Sequence, residues 1–493
     1  MQNPAPTGVQ KWRYPAVLVV IFMVASAAAL RFHDLAAKTF WFDEGVSVGI
    51  ARLNAYNFLR ILWRREANMS LYYLLLRVWL HLGSSQGFIR SLSVIFALAT
   101  IPVLYYLGAR LFDSRTGLFA AALLTVNAYH IRYSQEARSY SLMVLLCTLS
   151  CFYFLEYLQE PSPKNRIVYV VFSALAVYAH FYSLLLIVSH WLSLRFLTQE
   201  DIPAGLDKAW KQIGIAVAPI LLFVATTGAG PLRWIPRPGP RELWEFASLL
   251  TGSGGAWLVV AYTSAIGVVL SSTLMQPWNH RLPWEVWRYR FLAVWLFFPP
   301  LFVVILSQAK PLFLPRYFIF CLPALLLLAA VAISKIRPVW LALLPLFLFV
   351  ALSLRGTRSY YQQDFDSERD DWRSASRYIL ANERTGDAML FHVPMGRMPY
   401  EYYHSLSSGP APQVLYPYHG SQITFLDFVE KPDYTKIAQA LPQYPRVWLV
   451  ISHAETPAGL DHVATTLDSL VRQSYSLSEE REFHGIYIRL YQK

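Results

Sequence analysis

The residues of this chain best suited to chemistry stand early, in Phe40-Trp41-Phe42-Asp43-Glu44-Gly45, shortly after the first strongly apolar segment, Tyr14 to Leu30. Apolar walls raise the proton affinity of a carboxylate, and a second carboxylate beside it raises it further. Such a setting tunes a general base. The plainer alternative is a pair of solvated acids at a membrane interface, within a belt of aromatic rings.

Other polar residues sit at the edges of apolar runs. Tyr133-Ser134-Gln135-Glu136-Ala137-Arg138 follows such a run, with His130 just before it. Ionisable groups at membrane depth are functional candidates, although a Glu136–Arg138 pair could equally staple a helix end. His180 lies in the aromatic turn Tyr178-Ala179-His180-Phe181-Tyr182, where a structural histidine is the ordinary expectation. Lys310 and Arg316 flank Pro311-Leu312-Phe313-Leu314-Pro315, ahead of Tyr317. Arginine grips phosphate bidentately and lysine acts as a point charge, so the two cations could hold a lipid phosphate. Snorkelling to head groups accounts for Lys310 but less well for Pro315-Arg316-Tyr317. Cys147, Cys151 and Cys321 all fall in apolar runs, so neither a disulfide framework nor a metal site is implied.

The elements that must position these groups follow from composition. Of 493 residues 55% are hydrophobic and 15% charged, against about 25% charged in soluble chains. This is a polytopic membrane protein, mostly α. Its formal charge of +12 points to anionic head groups or phosphate rather than nucleic acid, because the basic residues lie in short loops. Candidate spans are 15–30 (a retained signal anchor), 90–109, 117–132, 140–158, 167–181, 182–197, 213–229, 256–274, 291–308, 316–334 and 338–354, about 11 in all. The apolar stretch Ser70 to Leu82 carries Arg77 and is too short to be counted. With Lys11 and Arg13 inside, the loops bearing Arg110/Arg115, Lys164/Arg166, Arg195/Lys208/Lys211, Arg281/Arg288/Arg290 and Lys335/Arg337 then all fall on the cytoplasmic side, as the positive-inside rule asks. The same parity puts Asp43, Gln135, His180, Lys310 and Arg316 on the outer face.

The outer loop 31–69 is basic, and its Val46-to-Leu62 stretch is expected along the interface. The proline- and arginine-rich loop 230–241 also faces out. Residues 1–354 thus form a membrane domain and 355–493 a small extracytoplasmic α/β domain. In the latter, Asp370–Asn382 and His462–Arg472 read as helices; Asp387–Phe391, Val447–Ile451 and Ile486–Leu490 read as strands. No catalytic spacing appears there, so a lid or recognition role is expected of it.

Taken together, Trp41-Phe42-Asp43-Glu44, Leu71-Tyr72-Tyr73-Leu74-Leu75-Leu76, Tyr133-Ser134-Gln135-Glu136-Ala137-Arg138-Ser139-Tyr140, His180-Phe181-Tyr182, Pro315-Arg316-Tyr317, Asp371-Trp372-Arg373 and Phe483-His484-Gly485-Ile486 carry a resemblance. The chain resembles the bacterial and archaeal relatives of the dolichyl-phosphate-mannose–protein mannosyltransferases, family-39-like membrane glycosyltransferases of the GT-C fold. The lipid A aminoarabinose transferases are more distant relatives. The resemblance implies inverting transfer of a sugar from a polyprenyl-phosphate donor to a hydroxyl acceptor (protein, lipid or cell-surface polysaccharide) at the outer face of the plasma membrane. It implies Asp43 as base with Glu44 orienting it, and Asn68, Tyr72, Gln135, Glu136, Arg138, His180, Lys310, Arg316 and Tyr317 about the substrate. Relatives carry His-Pro-Pro or Glu-Lys-Pro-Pro before the Leu-Tyr-Tyr segment. Here Asn68-Met69-Ser70 stands there, able to hydrogen-bond but not to bring a positive charge. No cofactor is implied with certainty; a divalent cation stays open. The rival expectations are a flippase for lipid-linked saccharides, which should carry ionisable residues in mid-span, and an inactive scaffold relative.

Overall fold

The computed structural model describes residues 13–227, 235–274, 282–364, 369–407, 412–417, 423–429, 431–456 and 459–493. Lys11, Arg233 and Arg281, and with Arg233 the first part of the 230–241 loop, lie outside these residues. The chain divides into two compact units. Unit one takes Met1–Leu35, Ala67–Tyr72 and Arg90–Gln362; unit two takes Ala36–Glu66, Tyr73–Ile89 and Gln363–Lys493.

Unit one is helical. Among the described residues seven helices are long and apolar enough to cross a membrane, or eight if Pro240–Thr251 and Ala256–Ser271, bent by 80°, form one span. The protein is therefore multi-pass, but not all eleven expected crossings are full-length spans. The segment at 117–132 breaks because Asn127 ends the Ser114–Val126 helix and caps the next one, its side chain accepting from the His130 N–H. His180 does the same between Pro163–Ala179 and the short turn Phe181–Ser183, its ring accepting from the Tyr182 N–H. These capping bonds satisfy backbone donors that a continuous helix would not leave open. The stretch at 70–82 yields the helix Ser70–Trp79 of 10 residues, roughly 15 Å long and so too short for a bilayer core.

Unit two is an α/β body. Its strands are β1 (Ala388–Phe391), β2 (Gln413–Tyr416), β3 (Arg446–Ser452), the short β4 (Glu455–Thr456) and β5 (Gly459–Leu460), β6 (Ser476–Phe483) and β7 (Ile486–Gln492). The main sheet has the order β2-β1-β3-β7-β6. β2, β1 and β3 run parallel, whereas β7 and β6 run antiparallel to their neighbours. β3 reads Arg-Val-Trp-Leu-Val-Ile-Ser and is buried throughout, as a central strand covered on both faces must be. Ala388, Leu390, Val447, Leu449 and Ile451 pack with Ala464, Leu467 and Val471 of the helix His462–Arg472 to make the core.

The chain leaves β1, passes through the helix Arg397–His404 to β2 on one side, and returns through Tyr434–Ala440 to β3 on the other. This reversal makes the carboxyl ends of β1 and β3 a topological switch point, where open α/β sheets bind ligands.

The stretch expected along the membrane interface divides in two. Phe42–Arg52 is a helix with every residue from Glu44 to Ala51 buried, whereas Ala55–Arg64 buries Phe58 and Ile61 and exposes Tyr56, Leu59 and Trp63. The first cannot lie on a bilayer because unit two covers it. Gly45 and Gly49, one turn apart, let Pro399 and Met398 of the Arg397–His404 helix approach closely: a Cβ on Gly45 would meet Pro399 Cα at 2.7 Å.

Candidate functional site

Asp43 and Glu44 occupy the first turn of the Phe42–Arg52 helix, where negative charge complements the helix dipole. Asp43 is half-buried and Glu44 fully buried. The approach to this helix is fixed by Arg373. Its guanidinium donates to the carbonyls of Ala37 (2.6 Å), Ala36 (2.7 Å) and Lys38 (2.9 Å) and to Gln86 Oε1 (2.8 Å). The Phe40 N–H donates to Tyr403 Oη at 2.8 Å, and the Phe40 ring stacks on Tyr402 at 4.3 Å.

At the carboxyl end of β3, His453 has a φ of 55°, a left-handed backbone that is uncommon outside glycine and clusters at functional sites. Its ring packs on Phe42, the first residue of the Asp43 helix, at 4.7 Å between centroids. Its Nε2 lies 3.4 Å from Oδ2 of Asp370, a side chain only 12% exposed. Burial pushes the Asp370 carboxyl up to about 6; the charge of Asp43 adds to this, while His453, Trp372 and His484 pull the other way. Asp43 is thus within electrostatic reach of a second, buried carboxyl.

The sequence did not single out Asp370 or His453. One signal was there to read: Asp370-Asp371-Trp372 repeats the pattern of adjacent carboxylates beside an indole seen in Trp41-Phe42-Asp43-Glu44.

The remaining sequence-expected residues are in unit one. Asn68 accepts from the Phe181 N–H at 3.0 Å, and its Nδ2 lies 3.4 Å from His180 Nε2. The His180 ring packs on Tyr317 (4.9 Å) and Tyr182 (5.5 Å). Tyr182 donates to the Leu312 carbonyl (2.6 Å) and Tyr129 to the Pro315 carbonyl (2.7 Å), which holds the Pro-Arg-Tyr segment in place. Arg316 is buried, and its guanidinium and that of Arg138 both act electrostatically on His180. Tyr72 Oη bonds Ser93 Oγ at 3.0 Å, and that hydroxyl donates to the Arg138 carbonyl at 3.2 Å. Asn68, Tyr72, Arg138, His180, Arg316 and Tyr317 therefore belong to one linked neighbourhood.

Gln135 and Glu136 have other partners. Gln135 Nε2 donates to the carbonyls of Arg31 (2.9 Å) and His33 (2.8 Å), and its Oε1 accepts from Tyr360 (2.9 Å). Buried Glu136 has Arg132 Nε at 3.8 Å. Gln135 thus ties the ends of separate helices together, whereas the Glu136 contact is local to its own segment. Arg31, missed in the sequence, is fully buried and donates to the carbonyls of Thr125 (3.0 Å) and Leu124 (3.1 Å) and to His130 Nδ1 (2.8 Å). Lys310 is exposed. Among the described residues no three His, Cys, Asp or Glu side chains gather as a cation site.

The sequence model of a family described as "Dolichyl-phosphate-mannose-protein mannosyltransferase" matches residues 70–227, a stretch that holds Tyr72, Gln135, Glu136, Arg138 and His180. ArnT from Cupriavidus metallidurans superposes in its apo state with a TM-score of 0.60 at 14% identity, over 97% of this chain and 98% of that one. The same protein bound to undecaprenyl phosphate gives 0.61 at 12% identity, over 96% and 97%. The Archaeoglobus fulgidus oligosaccharyltransferase, in complex with Zn and sulfate, gives 0.51 at 11% identity, over 81% of this chain and 59% of that one. No curated protein matches the chain. The fold is the GT-C fold, and residues 70–227 resemble the protein mannosyltransferase family.

Proposed function

We propose that the chain is a membrane glycosyltransferase that moves a sugar from a polyprenyl-phosphate donor to a hydroxyl acceptor with inversion. The observation that carries this reading is Asp43, a half-buried carboxylate at the start of a helix whose first residue packs on His453 at the switch point of the unit-two sheet. The likeness to ArnT, captured with undecaprenyl phosphate, supports the donor class by analogy of fold.

In this reading Asp43 takes the proton of the acceptor hydroxyl as its oxygen attacks the anomeric carbon. The anomeric C–O bond to phosphate breaks, and its electron pair leaves with the polyprenyl phosphate, so one displacement inverts the centre. Arg316 and Arg138, with Lys310, stabilise the charge that develops on the phosphate. Asn68, Tyr72, His180 and Tyr317 hold the donor, Glu44 orients Asp43, and Gln135 and Glu136 brace the bend that carries Arg138. With the reading go eleven crossings, a cytoplasmic N-terminus, an outer domain from residue 355 and a plasma-membrane location.

The test is transfer of radiolabel by purified protein from a panel of polyprenyl-phosphate sugars. Wild type incorporates label, and Asp43→Asn lowers the rate about a hundredfold or more while donor binding survives. Incorporation unchanged by Asp43→Asn overturns the base assignment. Movement of lipid-linked saccharide across vesicles without transfer favours the flippase.

A further inference from the structure

Three features of unit two converge beside the Asp43 helix. The switch point of the sheet puts Ser452 and His453, at the end of β3, beside His392 at the end of β1: His392 Nδ1 lies 2.9 Å from the Ser452 carbonyl oxygen, and its Nε2 3.0 Å from Asp461 Oδ1. His453 holds a left-handed backbone at the edge of this crevice, with its side chain 46% exposed and its ring against Phe42. Asp370 is 8% exposed. Among the described residues its Oδ2 makes no hydrogen bond and has His453 Nε2 at 3.4 Å.

A buried carboxylate oxygen without a hydrogen bond is costly to keep. Strained backbone at a strand end is costly as well. Both are retained where a ligand group completes them. The groups that act on Asp370 are His453 after β3, the side chain of Trp372, Asp43 from its helix and His484 from the β6–β7 turn. A ligand here meets a carboxylate acceptor, an imidazole and the Phe42 ring.

We infer that Asp370 and His453 form the acceptor subsite, receiving a second hydroxyl of the acceptor next to the one that reacts, and that the acceptor is a saccharide with adjacent hydroxyls. This rests on the reading of Asp43 as the base. A carboxylate that accepts from one hydroxyl of a diol fixes the direction of the other, and an aromatic face covers the C–H side of a sugar ring. A lone aliphatic alcohol would leave the second carboxylate unused.

The test uses the full chain in detergent and methyl glycosides as probes, followed by saturation-transfer NMR and by acceptor kinetics. At least one methyl glycoside with vicinal hydroxyls binds wild type. Asp370→Asn weakens that binding about tenfold or more and raises the acceptor KM by the same factor, with the donor KM unchanged. His453→Asn, which keeps a residue tolerant of the left-handed backbone, weakens it too. The monodeoxy analogue that lacks the received hydroxyl binds wild type as weakly as the parent glycoside binds Asp370→Asn, and loses nothing more in that variant. The inference is overturned if no methyl glycoside binds wild type or if both variants bind the diol as well as wild type does. It is overturned too if only a hydroxylated peptide shows dependence on Asp370. Asp43→Asn should abolish transfer and spare glycoside binding. If it transfers normally while Asp370→Asn still loses the glycoside, the base assignment fails and the subsite stands.

Discussion

Oδ1 of Asp370 stands 2.5 Å from where a Cβ on Gly485 would be. Gly485 belongs to the two-residue turn between β6 and β7, and its φ is 74°. Two independent requirements therefore meet at one glycine: a left-handed backbone and room for a carboxylate. The Asp371 N–H donates to the His484 carbonyl at 2.9 Å, so the turn and the Asp370 segment are locked together. Gly485→Ala should cost about 1–2 kcal/mol for the backbone alone and displace the carboxylate besides. Thermal unfolding of the full chain should report the first, and a rise in acceptor KM at constant donor KM the second. An unchanged acceptor KM would show that Asp370 has no part in binding.

Asp370 also makes a prediction about pH. Its carboxyl is raised from 3.8 to about 6, by burial first and Asp43 second. A group whose pKa is raised on folding contributes its stability below the unfolded value and loses it as pH rises through the folded value. Keeping Asp370 ionised therefore costs stability above pH 6, by roughly 3 kcal/mol. Asp370→Asn should raise the unfolding temperature at pH 8, and that gain should shrink between pH 6 and 4 and vanish below 4. Loss of acceptor binding with a gain in stability is the signature of a site held against its own fold. A destabilised Asp370→Asn at pH 8 would mark the residue as structural.

These relationships explain what could be read from the sequence. The aromatic box around Asp43-Glu44 and the apolar spans were visible because composition and local order define them. So was the helix His462–Arg472, whose buried Ala464, Leu467 and Val471 keep helical spacing. β6 was not visible, because Ser-Leu-Ser-Glu-Glu-Arg-Glu-Phe faces solvent and takes its strand form from pairing with β7, helped by Arg489 donating to Glu480 at 2.8 Å. Hydropathy could not show that Asn127 caps a new helix inside the apolar run 117–132, or that His180 caps a short turn where the runs 167–181 and 182–197 meet. Asp370 and His453 were hidden for another reason. Their setting is made by a strand end and a hairpin far along the chain, and no local pattern encodes that meeting. For the same reason the C-terminal residues, expected to form a lid, were not expected to hold the Asp43 helix.

Arg373 tests whether the approach to Asp43 must be rigid. Its guanidinium reaches three carbonyls and one side-chain amide of unit two at once. A planar fork can serve several acceptors in fixed directions, and an ammonium cannot reproduce it. Arg373→Lys should keep the charge and lose most of the geometry, at about 1–3 kcal/mol for carbonyls left without donors. The expected kinetic result is a fall in kcat with little change in donor KM, since a carboxylate set slightly out of place loses rate before binding. Equal kcat in Arg373→Lys and wild type would mean that the segment ahead of Asp43 tolerates movement.

The helix that carries Asp43 offers a paired test. A Cβ on Gly45 would strike the Pro399 backbone at 2.7 Å, whereas one on Gly49 would meet the Met398 sulfur at 2.8 Å. Proline backbone cannot give way, but a methionine side chain can swing to another rotamer. In both variants alanine favours the helix by up to about 1 kcal/mol. For Gly49→Ala that gain offsets the repacking, so stability and transfer should stay close to wild type. For Gly45→Ala the overlap should outweigh it by about 1–3 kcal/mol and push the first turn of the helix, with Asp43, off the Arg397–His404 helix. Transfer should then fall well beyond what the lost stability explains, with the carboxylate still present. Thermal unfolding measured beside the transfer rate separates the two effects. If Gly49→Ala proved the more damaging, the close contact with Pro399 would not be what places Asp43.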